Sequence, residues 1–285
     1  MTRIHLALHR PRVLSVAIAT AALGAFALVA SGAAGADGGL AVPPPPAVPT
    51  SADQIQNIDQ VRTAIKGYYG DTPTSQLDPV TGTVALHQYS PTGSYANEMA
   101  GVVAGAEKVL GKPKSVRIPQ KAVLFDVDDT TLNTFSYEIY SNFVFNPATN
   151  AAFVNACLGA TGCVFPAVPH MVDLEHYAEA EGYSVFFLTG RPITQRDGTV
   201  ANLTDAGYDL NGANLYLKDA SGATEPWLSP CAPTCTTIQY KSLTREHIES
   251  LGFNIVGNFG DQFSDLSGGF AVNTFKLPNP MYFLP

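Results

Sequence analysis

The chain has 285 residues, of which 46% are hydrophobic and 14% charged, and its formal net charge at pH 7 is −8. This length allows one or two domains with a sizeable core. An acidic chain with scattered Lys and Arg lacks the basic surface of a nucleic-acid binder, so we expect no nucleic-acid polymer as partner. If the protein holds an anion, it must do so with local positive groups or a metal ion.

Residues 1–36 have the layout of a secretory signal peptide. Three arginines precede an apolar, alanine-rich run from Val13 to Ala30, and small residues suited to cleavage follow at positions 34–36. The run approaches the length of a membrane span, but its small residues and the Ala-x-Ala sequence favour cleavage over a stable anchor. Removal of three arginines and no acidic residue would change the net charge from −8 to −11. We therefore expect a secreted or periplasmic protein.

The four cysteines form two close pairs in the sequence, Cys157 with Cys163 and Cys231 with Cys235. Neither spacing is the usual Cys-x-x-Cys of a zinc site, and no His is clustered with them. In an exported protein disulfides are favoured, and we predict the two local pairs over the other two connectivities.

The chain between the leader and the first buried strand divides into a tether and a helical extension. Residues 37–50 contain Pro43 to Pro46 and are typical of an extended, solvated tether. Residues 51–116 contain two helical patterns, at 51–69 and 94–110, and Ser51 with Gln54 resembles a capping box at the start of the first. Residues 71–92 are rich in Pro, Gly, Thr and Ser, which predicts a loop.

From residue 117 to residue 285 strand and helix patterns alternate, which predicts an α/β domain of three layers with a parallel sheet between helices. We place the strand at 121–125 in the centre of this sheet, between the strands that contain Leu188 and Val256. The segment 132–182 is too long for a simple crossover and predicts a mostly helical inserted cap. The predicted strands are 121–125, 184–188, 214–217, 254–257 and 270–273, and the predicted helices are 168–180, 194–206 and 243–251.

Three carboxylates, Asp126, Asp128 and Asp129, follow the first of these strands directly. In an extended segment Asp126 and Asp128 point to the same side, where their charges repel and a cation would offset the cost of burying them. The same residues are equally typical of a turn and a helix N-cap. An EF-hand loop is excluded, because Thr131 stands where that loop needs Gly and a strand precedes instead of a helix.

Polar groups also follow two other predicted strands. Thr189, Gly190 and Arg191 follow the second strand, where a hydroxyl, a main-chain N–H and a guanidinium can hold phosphate oxygens. Asp261 and Asp265 follow the fourth strand and could coordinate a cation. Taken singly, each of these two segments is also typical of an ordinary turn. We place Lys241 before the helix at 243–251, where a single lysine is usually just solvated.

Together these segments resemble the four motifs of the haloacid dehalogenase (HAD) superfamily. They are Asp126-x-Asp128-x-Thr130, Thr189-Gly190-Arg191, Lys241 and Gly260-Asp261-x-x-x-Asp265. The tail segments 260–266 and 275–282 resemble the acid phosphatase branch, subclass IIIB, which includes plant vegetative storage proteins and bacterial class C acid phosphatases. The resemblance covers roughly residues 80–285 and implies a Rossmann-like HAD core with a helical cap inserted after its first strand.

The resemblance also implies residue roles and a function. Asp126 would be the nucleophile and Asp128 the general acid and base, while Thr189, Gly190, Arg191 and Lys241 would bind the phosphoryl group. Mg²⁺ would be held by Asp126, the main-chain carbonyl of Asp128 and Asp261, with Asp265 either as a further ligand or as a residue that contacts the ligands. The expected function is hydrolysis of small phosphomonoesters through an aspartyl-phosphate. A phosphotransferase with the same intermediate and a storage or binding protein without turnover are the alternatives, and an oligomer is left open.

Overall fold

The computed structural model describes residues 50–51, 57–112, 120–210 and 214–284. The chain divides into two units, residues 1–52 and 53–285. The predicted signal peptide, and the predicted tether apart from Thr50, lie outside the described residues. The boundaries predicted for the tether, extension and cap therefore stay predictions.

The first helix, α1, spans Ile58–Tyr69. Its N-cap is Asn57, whose side chain accepts hydrogen bonds from the main chain at positions 59 and 60, while the Gln60 side chain accepts one from the N–H of Asn57. The capping box predicted at Ser51 and Gln54 includes a residue outside the described residues and stays a prediction. The helix ends at Gly70, whose φ of 69° lies in the left-handed region that glycine tolerates.

A β-hairpin follows where the sequence predicted a loop. Strand β1 (Thr72–Leu77) pairs antiparallel with β2 (Ala85–Gln88). The prediction was wrong because β1 reads Thr-Pro-Thr-Ser-Gln-Leu and has no alternation of apolar residues to mark it as a strand. Asp78 shapes the turn by accepting hydrogen bonds from four main-chain N–H groups between residues 80 and 84. Helix α2 (Ser94–Leu110) agrees with its predicted bounds.

The remaining strands form one parallel five-stranded sheet. Their order is β5-β4-β3-β6-β7, so the strand that precedes Asp126 is central and its neighbours are the two predicted ones. The strands are β3 (Lys121–Phe125), β4 (Ser184–Pro192), β5 (Leu215–Lys218), β6 (Asn254–Gly260) and β7 (Asn273–Lys276). Strand β7 was predicted three residues too early. Gly268, Gly269 and Phe270 all have positive φ and cannot continue an extended strand.

Helices occupy the connections of this sheet. They are α3 (Phe135–Tyr140), α4 (Pro147–Val154), α5 (Met171–Ala180), α6 (Arg196–Asp205), α7 (Thr237–Ser250) and α8 (Phe263–Leu266). Helices α3, α4 and α5 all lie within the predicted insertion 132–182, and α5 packs on α2 and β4. Helix α7 begins six residues earlier than predicted because Thr236 and Gln239 form a capping box, so Lys241 lies inside this helix.

Apolar residues of the central strand point alternately to the two faces of the sheet. Val123 and Phe125 belong to one hydrophobic cluster and Ala122 and Leu124 to the other, so both faces are covered. Phe125 stacks on Phe259, with ring centroids 4.7 Å apart. Burial of one such side chain contributes about 2–3 kcal/mol. The three-layer α/β fold is confirmed.

Two further predictions concern the cysteines and the membrane. Cys157 bonds to Cys163 and Cys231 bonds to Cys235, which confirms the two local disulfides. Within the described residues, no helix combines the length and the apolar character that a membrane span requires.

Candidate active site

The carboxyl end of β3 places Asp126 at the edge of the sheet. Its main-chain N–H donates to the carbonyl of Phe259 on β6, over 3.0 Å, and its carbonyl accepts from the hydroxyl of Thr131. Parallel strands bring their carboxyl ends to one edge, so residues that follow β3, β4 and β6 meet there. Asp126 itself is buried.

Asp261 and Asp265 complete a buried cluster of three carboxylates with Asp126. One oxygen from each of the three lies within 4.8 Å of the other two. The approach of Asp265 depends on Gly260, because a Cβ at that position would lie 2.4 Å from the Cβ of Asp265. The structure therefore brings together the acidic residues predicted from two strands that are far apart in sequence.

Lys241 reaches this cluster from α7. Its ammonium group donates to a carboxylate oxygen of Asp126, lies 3.1 Å from Asp265 and donates to the carbonyl of Leu188 over 2.6 Å. Burial alone would lower the pKa of Lys241, but the charges of Asp126 and Asp265 outweigh burial and raise it. The side chain is therefore a fixed positive charge beside Asp126.

One ammonium group does not neutralise three buried carboxylates. Burial, and then repulsion from Asp265, raises the pKa of Asp126 well above its usual value and that of Asp261 to about 8. A hard divalent cation with oxygen ligands would relieve this repulsion. The donor set therefore fits a divalent metal ion. The carboxylate of Asp128 is not part of the cluster.

Asp128 is instead held by Arg191 at the end of β4. The guanidinium Nε lies 3.1 and 3.0 Å from the two carboxylate oxygens, Nη2 lies 2.6 Å from one of them, and Nη1 donates to Thr199. About 30% of the Asp128 side chain stays exposed. Sequence reasoning placed Arg191 on the phosphoryl group, whereas in this structure its donors are directed to Asp128 and Thr199.

Thr189 and Gly190 lie between these groups on β4. The hydroxyl oxygen of Thr189 accepts a hydrogen bond from the N–H of Arg191 over 3.1 Å, and the residue is fully buried. Gly190 is exposed and has no heavy atom within 4 Å of the position a Cβ would take. The backbone at this strand end is therefore open to a ligand.

Comparison with known proteins identifies the family. A model described as HAD superfamily, subfamily IIIB (acid phosphatase), matches residues 70–285. This chain belongs to that family. The prediction of an acid phosphatase branch of the HAD superfamily is thereby confirmed.

Among curated relatives, the chain is similar to two plant proteins. It is 36% identical over 163 residues to acid phosphatase 1 of Solanum lycopersicum, a match that covers 56% of this chain and 58% of that protein. It is 33% identical over 171 residues to the stem 28 kDa glycoprotein of Glycine max, covering 58% of this chain and 61% of the relative. The matches thus span little more than half the length of these relatives.

A solved structure shares the fold. The class C acid phosphatase of Bacillus anthracis superposes with a TM-score of 0.53 at 19% sequence identity, covering 67% of this chain and 80% of that one. The likeness agrees with the parallel α/β core described above.

Several groups of this HAD site were missed by sequence reasoning. Asp261 accepts hydrogen bonds from Gln262 over 2.7 Å and from Asn279 over 2.6 Å, and the Thr130 hydroxyl lies 3.4 Å from it. Thr130 and Asn279 stand within segments that carry the family resemblance, so those segments held a signal. The spacing of 18 residues between Asp261 and Asn279 gave no indication of contact.

Asp129 was noted in the sequence but given no role. It has a φ of 54°, and its carboxylate accepts from the N–H of Thr134 and from the hydroxyl of Tyr282 over 3.0 and 2.9 Å. Burial raises its pKa to about 7 against the effect of the Thr134 hydrogen bonds. A non-glycine residue in the left-handed region marks a turn that its surroundings hold in place.

Proposed function

We propose that this protein is a secreted, magnesium-dependent acid phosphatase that hydrolyses small phosphomonoesters through an aspartyl-phosphate. The observation that carries the proposal is the contact of Lys241 with both Asp126 and Asp265 in a buried carboxylate cluster. The family model matches the chain over this whole site. A nucleophile, a fixed positive charge and a set of metal ligands then lie at one sheet edge, as phosphoryl transfer requires.

The residues that would hold the metal are Asp126, Asp261, Asp265 and the main-chain carbonyl of Asp128. When bound, Mg²⁺ would supply a Lewis acid for a phosphoryl oxygen and offset repulsion between the carboxylates and the substrate dianion. Gln262 and Asn279, which donate to Asp261, would orient that ligand.

In the first half-reaction an oxygen of Asp126 attacks phosphorus and the bond from phosphorus to the ester oxygen breaks. Lys241 and the backbone at Thr189 and Gly190 bind the phosphoryl oxygens as their charge develops. Asp128 gives a proton to the leaving oxygen, which departs as an alcohol. The part of the Asp128 side chain left exposed beside Arg191 is available to the leaving group.

In the second half-reaction water replaces the alcohol. Asp128 removes a proton from the water, the water oxygen attacks phosphorus, and the bond between phosphorus and Asp126 breaks to release phosphate. An alcohol in place of water would make the same enzyme a phosphotransferase, which product analysis with added alcohol would detect. A storage or binding protein without turnover would not require Asp126 and Lys241, and both are present.

The proposal is tested by measuring hydrolysis of aryl, sugar and nucleoside monophosphates with and without magnesium. We expect turnover only with the metal, and a loss of at least about a thousandfold in the Asp126→Asn variant. Phosphate binding by that variant should persist, because Lys241 and the other ligands remain. Turnover by Asp126→Asn close to that of the parent protein would refute the aspartyl-phosphate.

Export is supported by the leader-like residues 1–36 and by the two disulfides. We expect the mature protein to begin near Asp37 and to carry no free thiol. Intact-mass measurement before and after reduction tests both points. A retained Met1 would contradict cleavage, and four free thiols in the secreted protein would contradict the disulfides.

A further inference from the structure

Glu138 is a buried carboxylate on α3 that no interaction within the structure satisfies. The residue is only 7% exposed. Its main chain belongs to the helix, and its N–H donates to Thr134. Among the described residues its carboxylate has no hydrogen-bond or ion-pair partner. Its two oxygens are not fully enclosed by protein, so they still touch solvent.

The two residues that precede Glu138 on α3 are hydrogen-bonded to other elements. The hydroxyl of Ser136 accepts a hydrogen bond from the N–H of His87 in β2, and the hydroxyl of Tyr137 donates to the carbonyl of Asn146 over 3.1 Å. These contacts fix the helix against the hairpin and the start of α4. Glu138 is therefore held in a set position, buried but with its carboxylate still in contact with solvent.

Helix α3 begins beside Asp128: the N–H of its N-cap Thr134 donates to Asp129, and the N–H of Glu138 donates to the carbonyl of Thr134. Burial, and then the negative charge of Asp128, raises the pKa of Glu138 to about 7, and the charge of Glu138 acts in turn on Asp129. Arg191 does not balance Glu138, because its guanidinium donates to Asp128 and Thr199. Glu138 therefore lies one helical turn from the residue that contacts Asp129, next to the segment that carries the proposed general acid for the leaving alcohol.

We propose that Glu138 determines specificity for the alcohol part of the substrate. It favours phosphomonoesters whose alcohol carries a hydrogen-bond donor close to the ester oxygen, an ammonium group above all, and it rejects those with a second anionic group there. The inference rests on the proposed function. A buried carboxylate without a partner costs free energy, which a donor on the ligand would recover and an anion would increase.

Four two-carbon phosphomonoesters provide matched probes: ethyl phosphate, 2-hydroxyethyl phosphate, phosphoethanolamine and phosphoglycolate. Their dissociation constants are measured by calorimetry with the Asp126→Asn protein and magnesium at about pH 8, and kcat/KM is measured with the active protein. We expect phosphoethanolamine to bind most tightly and phosphoglycolate most weakly. In Glu138→Gln the dissociation constant for phosphoglycolate divided by that for phosphoethanolamine should shrink at least about tenfold, since the variant lacks the negative charge of Glu138.

The matched control is Glu246→Gln, because Glu246 is an exposed glutamate on α7 and its change removes the same charge from the protein. Its ratio should stay that of the parent. Glu138→Asp keeps the charge and should keep a preference for the ammonium ligand. An unchanged ratio in folded Glu138→Gln would overturn the proposal. If that variant does not fold, equal binding of phosphoethanolamine and ethyl phosphate by the parent protein would overturn it as well.

The two proposals fail differently. If the parent protein hydrolyses none of the four esters and no aryl phosphate, while the binding preference depends on Glu138, the phosphatase function is refuted and the role of Glu138 stands. If hydrolysis proceeds with the same relative rates in parent and Glu138→Gln, the role of Glu138 is refuted and the phosphatase function stands.

Discussion

Arg191 and Asp128 form a forked ion pair, in which Nε and Nη2 of the guanidinium donate to the carboxylate over 2.6–3.1 Å. The two residues are 63 positions apart and lie at the ends of neighbouring strands. Because Arg191 also donates to Thr199 on α6, the pair connects the loop after β3 to a helix beyond β4. This geometry fixes the direction of the proposed general acid.

Replacement of Arg191 by lysine should therefore act through Asp128. Lysine keeps the charge but cannot form the fork, so the carboxyl should lose its fixed orientation. We expect kcat to fall about tenfold to a hundredfold with little change in KM. The loss should be smaller when Asp128 is already Asn. A rise in KM at constant kcat would instead indicate that Arg191 binds the phosphoryl group, as the sequence suggested.

Asp128→Asn should slow reactions with poor leaving groups most. The variant cannot give a proton to the departing oxygen, so alkyl phosphates should lose about a hundredfold to ten-thousandfold in rate, whereas an activated aryl phosphate should lose much less. The measurement is a leaving-group series at saturating magnesium. An equal loss across the series would contradict general acid catalysis by Asp128.

Asp261→Asn should weaken the binding of magnesium. It removes a charged oxygen from a cluster of three carboxylates. We expect magnesium affinity to fall at least about a hundredfold, because loss of a group that only hydrogen-bonds to a metal ligand already lowers metal affinity by up to about a hundredfold. Calorimetric titration with Mg²⁺ measures the effect. Asp205→Asn, at an exposed position on α6, is the control and should bind as the parent does. Equal affinity in both variants would mean that Asp261 only shapes a turn.

Gly260→Ala should disturb the cluster without changing any charge. The added Cβ would lie 2.4 Å from the Cβ of Asp265, so the turn must shift, at a cost of about 1–3 kcal/mol in the free energy of unfolding. Magnesium affinity should fall with it. Gly105→Ala in α2 meets no atom within 4 Å and should raise stability by about 0.5–1 kcal/mol. Thermal unfolding distinguishes the two, and equal melting temperatures would contradict the close approach.

Glu175 on α5 is fully buried and is not part of the candidate active site. It should make the free energy of unfolding depend on pH. Burial, and then the charge of Glu179, raises the pKa of Glu175 from 4.5 to about 7. Because the folded state binds this proton more tightly, the stabilisation is complete below about pH 4.5 and is lost as pH rises through about 7.

Between about pH 5 and 8, the free energy of unfolding should therefore fall by about 1–3 kcal/mol less in Glu175→Gln than in the parent protein. Melting temperatures at both pH values, with saturating magnesium to hold the metal ligands ionised, measure this. Glu246→Gln, at an exposed position, should follow the parent. A pH dependence equal in parent and Glu175→Gln would show that Glu175 does not titrate in this range.

The sequence by itself determined the centre of the sheet, namely β3 with its neighbours β4 and β6, and the bounds of β3. Strand β3 has the predicted bounds, because its short run of apolar and branched residues stops where a series of carboxylates begins. The strand ends that carry Asp126, Thr189 and Asp261 then had to meet, since parallel strands share one carboxyl edge. The hairpin at 72–88 was missed because its polar strands carry no pattern of burial.

Only the tertiary structure decided which side chains pair. Lys241 contacts Asp126 across 115 positions because α7 begins earlier than its apolar pattern suggested and packs on β4 and β6, the two neighbours of β3. For the same kind of reason Arg191 donates to Asp128. Glu138 has no side-chain partner among the described residues. Local patterns report burial and backbone geometry, whereas the partner of a long polar side chain depends on the distances that packing sets between distant elements.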